Sequence, residues 1–141
     1  MRVKDYGKYI NDIIMEEKLK YLEFIQGVIT RMNSNSFSIK TWMITILSAF
    51  LALYANSSNE LYLLIAACPT LLFWLFDTYY LAMERQYRNL YNEVKDRNDI
   101  DFDMKANKYN LCYFATLFRP IEIGVYLPIL IAIVAAWYFL R

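Results

Sequence analysis

Three stretches of roughly 20 residues, each nearly free of charge, constrain this chain more than any other feature, because that is the length of helix needed to cross a hydrocarbon core. Residues 37–55, "FSIKTWMITILSAFLALYA", are apolar apart from Lys40 and a few hydroxyls. Residues 61–83, "LYLLIAACPTLLFWLFDTYYLAM", hold one charge, Asp77, and residues 121–140, "IEIGVYLPILIAIVAAWYFL", hold one, Glu122. A hydrophobic fraction of 58% is well above that of a soluble domain, so lipid is the expected solvent. The expected fold is all-α: an integral membrane protein with three transmembrane helices. The first stretch lies too far along the chain, behind a long charged segment, to be a cleaved signal peptide.

Charge placement predicts the orientation. Of the 15 Lys and Arg, seven lie up to and including Lys40, seven lie between Glu84 and Arg119, none lies in the connection "NSSNE", and the last is Arg141. The positive-inside rule then puts the N-terminus and the central segment in the cytoplasm, and the hairpin and C-terminus outside. Four parts follow: a cytoplasmic amphipathic helix (1–36), a transmembrane hairpin (37–83, spans 37–55 and 61–83), a cytoplasmic extension and connector (84–120), and a third span (121–141). Cys68 falls in a span and Cys112 on the cytoplasmic side, where thiols stay reduced.

In the N-terminal part, Ile10, Ile14, Tyr21, Ile25, Val28 and Met32 recur at helical spacing, flanked by Ile13, Leu22 and Ile29. Such a face suits the inner membrane surface, copies of itself, or the central charged segment of its own chain. A bend is expected at "MNSNSF", where Asn and Ser side chains compete for backbone hydrogen bonds. "SSNE" has the pattern of a capping box on Ser57 and Glu60, which predicts a tight hairpin of antiparallel spans.

If the hairpin folds about Ser58, residues equidistant from it share a depth. Lys40 then faces Phe76 and Asp77, Asn35 faces Leu81, and Arg31 faces Glu84 and Arg85. A buried, unpaired carboxylate at Asp77 would cost several kcal/mol, so Lys40 is its expected partner. Asp77, Tyr80, Glu84, Arg88, Tyr91 and Lys95 form one stripe at three- and four-residue steps, predicting a helix from about Ser58 to Lys95 that outruns the membrane. In the third span, Pro120 is tolerated at the helix start, Glu122 suits the positive helix end, and Pro128 is expected to kink the helix.

The chain has no His, which removes the commonest general base and metal ligand. Two Cys 44 positions apart make no zinc site, and three scattered Gly make no phosphate-cradling loop. Asp77 and Glu84, two turns apart, suit ion pairs better than acid-base work. "DIDFD" (Asp99, Asp101, Asp103) opens like a calcium loop but lacks Gly at the sixth position and carries Asn110 at the twelfth, so a turn capping a helix from Met104 onward is expected. No catalytic residue, metal or cofactor is expected. Arg85, Arg88, Lys95 and Arg97 are candidate contacts for an anionic ligand, among acids that make the face a mixed one.

"ITRMNSNSFSIKTW" and "PTLLFWLFDTYYLAMERQYRNLYNEV" resemble a group of small bacterial membrane proteins with an Arg-Met…Asn-Ser-Phe…Lys-x-Trp segment ahead of a Phe-Trp…Asp…Tyr-Tyr-Leu…Glu-Arg…Arg-x-Leu-Tyr helix. Members of this kind are similar to membrane effectors of anti-phage defence, which oligomerise and permeabilise the inner membrane when an intracellular signal is sensed. The matching positions are Arg31, Asn35, Lys40, Trp42, Asp77, Glu84, Arg85 and Arg88. The resemblance implies a multi-pass protein of the bacterial inner membrane.

Two functional expectations result. One is a homo-oligomeric channel or pore-forming effector in the lipid bilayer, gated by a nucleotide or oligonucleotide signal or a cytoplasmic sensor protein. Its inner-boundary cluster (Arg31, Asn35, Lys40, Asp77, Glu84, Arg85, Arg88) then acts as gate or clasp. If the acids pair within one subunit, the lining falls to Thr41, Thr45 and Ser48. The other is a non-conducting anchor that docks a cytoplasmic enzyme or sensor.

Overall fold

In the computed structural model, which describes residues 3–97, 101–109 and 112–140, the chain is helical almost throughout. The order is α1 (Val3–Ser57), α2 (Leu61–Asp96), a 3-10 turn (Ala106–Lys108), α3 (Tyr113–Leu117) and α4 (Pro120–Leu140). Among the described residues three helices, α1, α2 and α4, are long and apolar enough to cross a membrane.

α1 is one unbroken helix of 55 residues, so the N-terminal part and the first apolar stretch are a single rod of about 80 Å at 1.5 Å per residue. At "MNSNSF", where the sequence predicts a bend, the helix continues without interruption. Ser38 returns its hydroxyl to the Ser34 carbonyl (3.0 Å) and Ser36 turns its own to Asp77, so neither side chain diverts the backbone.

The hairpin is tight but carries no capping box. Ser57 is the last residue of α1; its Oγ donates to the Leu53 carbonyl (2.8 Å) and accepts from the Asn59 amide (3.3 Å). Ser58 takes the left-handed conformation (φ 53°), which reverses the chain. Asn59 supplies the acceptor for the first amide of α2, Leu61, at 3.0 Å, while Glu60 makes no capping bond. With α2 starting only at Leu61, Ser57 is too early in the chain to cap it.

α2 is the central helix, and α1, the 3-10 turn, α3 and α4 all pack on it. Its 36 residues agree with the expected long extension. Beyond the apolar stretch, Tyr21, Ile25 and Ile29 of α1 are buried against Leu90, Val94 and Ala106, so this part of the amphipathic face serves the chain's own extension. Lys18 closes the far end by donating to the last carbonyls around α2, those of Lys95 (2.8 Å) and Arg97 (2.6 Å). Ile10, Ile13 and Ile14 are exposed. The antiparallel register that pairs Lys40 with Asp77 and Lys18 with Arg97 leaves no α2 opposite the turns before Lys18.

The connector is held by side chains. Asp101 and Asp103 accept from the amides two residues on, at 3.2 and 3.1 Å. They lead into the three-residue 3-10 turn and not into the expected α-helix from Met104. Glu93 of α2 gathers Lys108 (2.8 Å), Arg97 (3.1 Å) and the Tyr109 hydroxyl. Asp99, Asn110 and Arg141 lie outside the described residues. Cys68 and Cys112 are free thiols.

Candidate functional site

The polar centre of the molecule is built where the apolar part of α2 meets its charged part. Asp77 has no exposed surface. It receives Lys40 and the Ser36 hydroxyl from α1, and the Tyr126 hydroxyl from α4 at 2.9 Å. Lys40 also donates to Ser36 Oγ (3.0 Å), one turn before it. The carboxylate thus keeps a cation and two hydroxyl donors in place of water, which a buried acid requires.

Glu122, in the first turn of α4, is the second acid of this centre. It too is fully buried, its Oε1 lies 3.8 Å from Lys40 Nζ, and neither oxygen has a hydrogen-bond donor among the described residues. One ammonium therefore serves two carboxylates. Sequence reasoning assigned Glu122 to the helix end alone and did not include Ser36 or Tyr126. A signal was present in the spacing, since Ser36 and Lys40, and Glu122 and Tyr126, are each four residues apart and so share a helix face.

Aromatic groups set the orientation of α4 on α2. The Tyr126 ring stacks on Trp74 with centroids 5.9 Å apart and planes inclined by 8°. Tyr113 of α3 donates to the Leu75 carbonyl, which pins the chain just before α4.

The other expected members of the boundary cluster are distributed differently. Glu84 is 7% exposed and pairs with Arg88 one turn on (2.7 Å). Arg85 donates to Thr116 of α3 (3.3 Å). Arg31 is exposed and forms no ion pair with a described residue. Equal distance from the hairpin fixes depth but not face, and Arg31, nine residues from Lys40, points to the opposite side of α1 at 100° per residue. Asn35 is half-buried with no side-chain bond to a described residue. Asp77 and Glu84 each have their own partner and lie about 10 Å apart along one helix, so they do not form a facing acid pair.

The four candidate anion contacts divide. Arg85 and Arg88 line one pocket with Arg119, a residue the sequence reading did not include, whereas Arg97 is engaged with Glu93 and Asp101. Lys95 lies on the exposed last turn of α2.

On the face of α1 turned away from α2, Thr41, Thr45, Ser48, Ala52 and Asn56 are all exposed. They fall within a narrow arc and extend over about 22 Å. Thr41, Thr45 and Ser48 donate to the carbonyls four residues earlier, at 3.1, 2.9 and 2.8 Å. Their hydroxyl hydrogens are thereby satisfied, and each oxygen keeps acceptor capacity facing outward.

Comparison of the chain with protein families, curated proteins and solved structures finds no match.

Proposed function

We propose that this chain is a homo-oligomeric channel or pore-forming effector of the bacterial inner membrane, with its N-terminus and charged connector in the cytoplasm, acting in anti-phage defence. The observation that carries the reading is the line from Thr41 to Asn56, in which small and polar side chains run along an otherwise apolar helix for most of a hydrocarbon core. Small residues let helices approach closely, and outward acceptor oxygens suit a wet lumen. Three helices are too few to enclose a conduit alone, so copies of the chain supply the rest of the wall.

Because Asp77 and Glu84 are neutralised inside one subunit, we assign the lining to the hydroxyl line and not to a ring of acids. The Lys40–Asp77–Glu122 centre then acts as the clasp that sets α1 against α2 and α4. Gating follows from the continuity of α1. The same helix carries the cytoplasmic arm and the lining, so a nucleotide, oligonucleotide or sensor protein that displaces the arm turns the lining with it. The anti-phage setting is supported by the resemblance of the Ile29–Trp42 and Pro69–Val94 segments.

A second reading, a non-conducting anchor that docks a cytoplasmic enzyme or sensor, is favoured by the exposed apolar side chains of Tyr9, Ile10, Ile14, Met15 and Leu19 on the arm. The two readings separate when the mass of the purified protein in nanodiscs is measured and the same sample is recorded in a planar bilayer. An oligomer with discrete conductance steps supports the channel. A monomer or dimer that stays electrically silent with cell extract added supports the anchor.

A further inference from the structure

Where α2 leaves its apolar stretch, three guanidinium groups line one pocket of about 470 Å³. Arg85 and Arg88 come from α2, and Arg119 stands immediately before α4. Among the described residues Glu84 is the one acid in the lining, so two positive charges are left over there. Leu81 forms the end nearest the apolar stretch, and Asn89 and Asn92 continue the wall away from it.

The donors are committed to different degrees. Arg88 gives its Nε to Glu84 at 2.7 Å, which fixes the side chain while leaving both terminal nitrogens to donate elsewhere. Arg85 is fixed by Nη1 on Thr116 at 3.3 Å. The Arg119 side chain makes no bond to a described residue, although its backbone is tied into the turn before α4 through Thr116 and Ile123. The planar forks of Arg match tetrahedral oxyanions with paired hydrogen bonds, and side-chain amides add neutral donors.

We infer that this pocket binds a phosphate group, carried either by a phospholipid headgroup or by a soluble nucleotide. The excess of two positive charges matches the charge of a phosphate monoester, and the volume suits a headgroup or a mononucleotide. Leu81 provides the apolar edge an acyl chain would follow, and the amides provide the polar edge a nucleotide would use. The site is independent of the channel reading, since an anchor would hold the phosphate in the same way.

The test uses full-length protein in a maltoside detergent, which carries no phosphate. Phosphatidic acid bound per chain is counted by native mass spectrometry, and adenosine diphosphate is titrated by calorimetry. Saturable binding of at least one probe is expected, weakened about tenfold or more in R119Q, the loss of one charge-assisted contact. R88K, which keeps the charge beside Glu84 but gives up the fork, is expected to weaken binding in the same sense. K20Q, an exposed change on α1 away from the pocket, is expected to bind as wild type. Phosphatidic acid alone identifies a lipid headgroup, adenosine diphosphate alone a soluble phosphate, and mutual displacement a site open to both. The inference is overturned if neither probe binds, if the two bind without displacing each other, if R119Q and R88K bind as tightly as wild type, or if K20Q weakens binding as much as R119Q.

Discussion

Lys40 Nζ lies 3.8 Å from Glu122 Oε1 while it pairs with Asp77, and in this way a side chain of α1 reaches α4 although the two backbones make no close approach. The three long helices are therefore joined at one charged point on the central helix.

Removing the cation at that point should be severe. Lys40→Met leaves Asp77 and Glu122 buried with no ammonium, and the loss expected on breaking such a pair is about 3–5 kcal/mol. Unfolding of the purified variant in mixed micelles would measure it. A loss below about 1 kcal/mol would mean the acids find water or another donor, and the clasp would be abandoned.

A milder test isolates one hydroxyl. Tyr126→Phe keeps the ring that stacks on Trp74 and removes only the bond to Asp77 Oδ2 at 2.9 Å. A hydrogen bond to a charged group is worth about 1.5–3 kcal/mol, so the same unfolding experiment should register a loss in that range. Combining Tyr126→Phe with Asp77→Ala should give a smaller loss than the two single changes added together, because both remove the same contact. Simple additivity would show that the hydroxyl stabilises the protein by some other route.

How much of this was legible in the sequence depends on what depth alone can decide. The apolar stretches, the long α2 and the Lys40–Asp77 register follow from length, charge placement and a tight turn. The face of each side chain does not. Arg31 has the right depth for Glu84 but the wrong side of α1, and Glu84 is satisfied within its own helix by Arg88. Tyr126 and Glu122 belong to a helix whose placement depends on the irregular connector, for which periodicity offers no register. The hydroxyls around "MNSNSF" suggested a bend because one partner, Asp77, becomes available to Ser36 only once the helices are packed, while Ser38 is satisfied by the Ser34 carbonyl within α1 itself.

The connector should respond to acid. Hydrogen bonds, first from Lys108 and then from Tyr109, hold the Glu93 carboxyl below the usual carboxylate range. A depressed folded-state value means that the stabilisation is present above the ordinary glutamate range and is lost as pH falls through the folded value. Lys108, raised chiefly by its bond to Glu93, contributes below the ordinary lysine range, and its share is lost as pH rises through its folded value. Amide exchange over residues 101–109, corrected for intrinsic rate, should therefore show protection at neutral pH that falls on acidification, and Glu93→Gln should lower the neutral value. Protection unchanged between neutral and strongly acidic pH would remove Glu93 as the tie.

The assignment of the lining makes the most specific demand on the channel reading. Cys68 and Cys112 are both exposed, so the background must first be Cys68→Ser, Cys112→Ser to silence them. In that background Thr45→Cys, midway along the hydroxyl line, should react with a water-borne thiol reagent and lose most of its conductance on modification. Met43→Cys, on the buried face of α1 toward α2, should remain unreactive while the protein is folded. If Thr45→Cys resists the reagent in a conducting sample, the line faces lipid or a dry contact between copies. A thiol facing hydrocarbon is unreactive because the thiolate that attacks the reagent does not form without water. The conduit would then have to be sought on another face of the bundle.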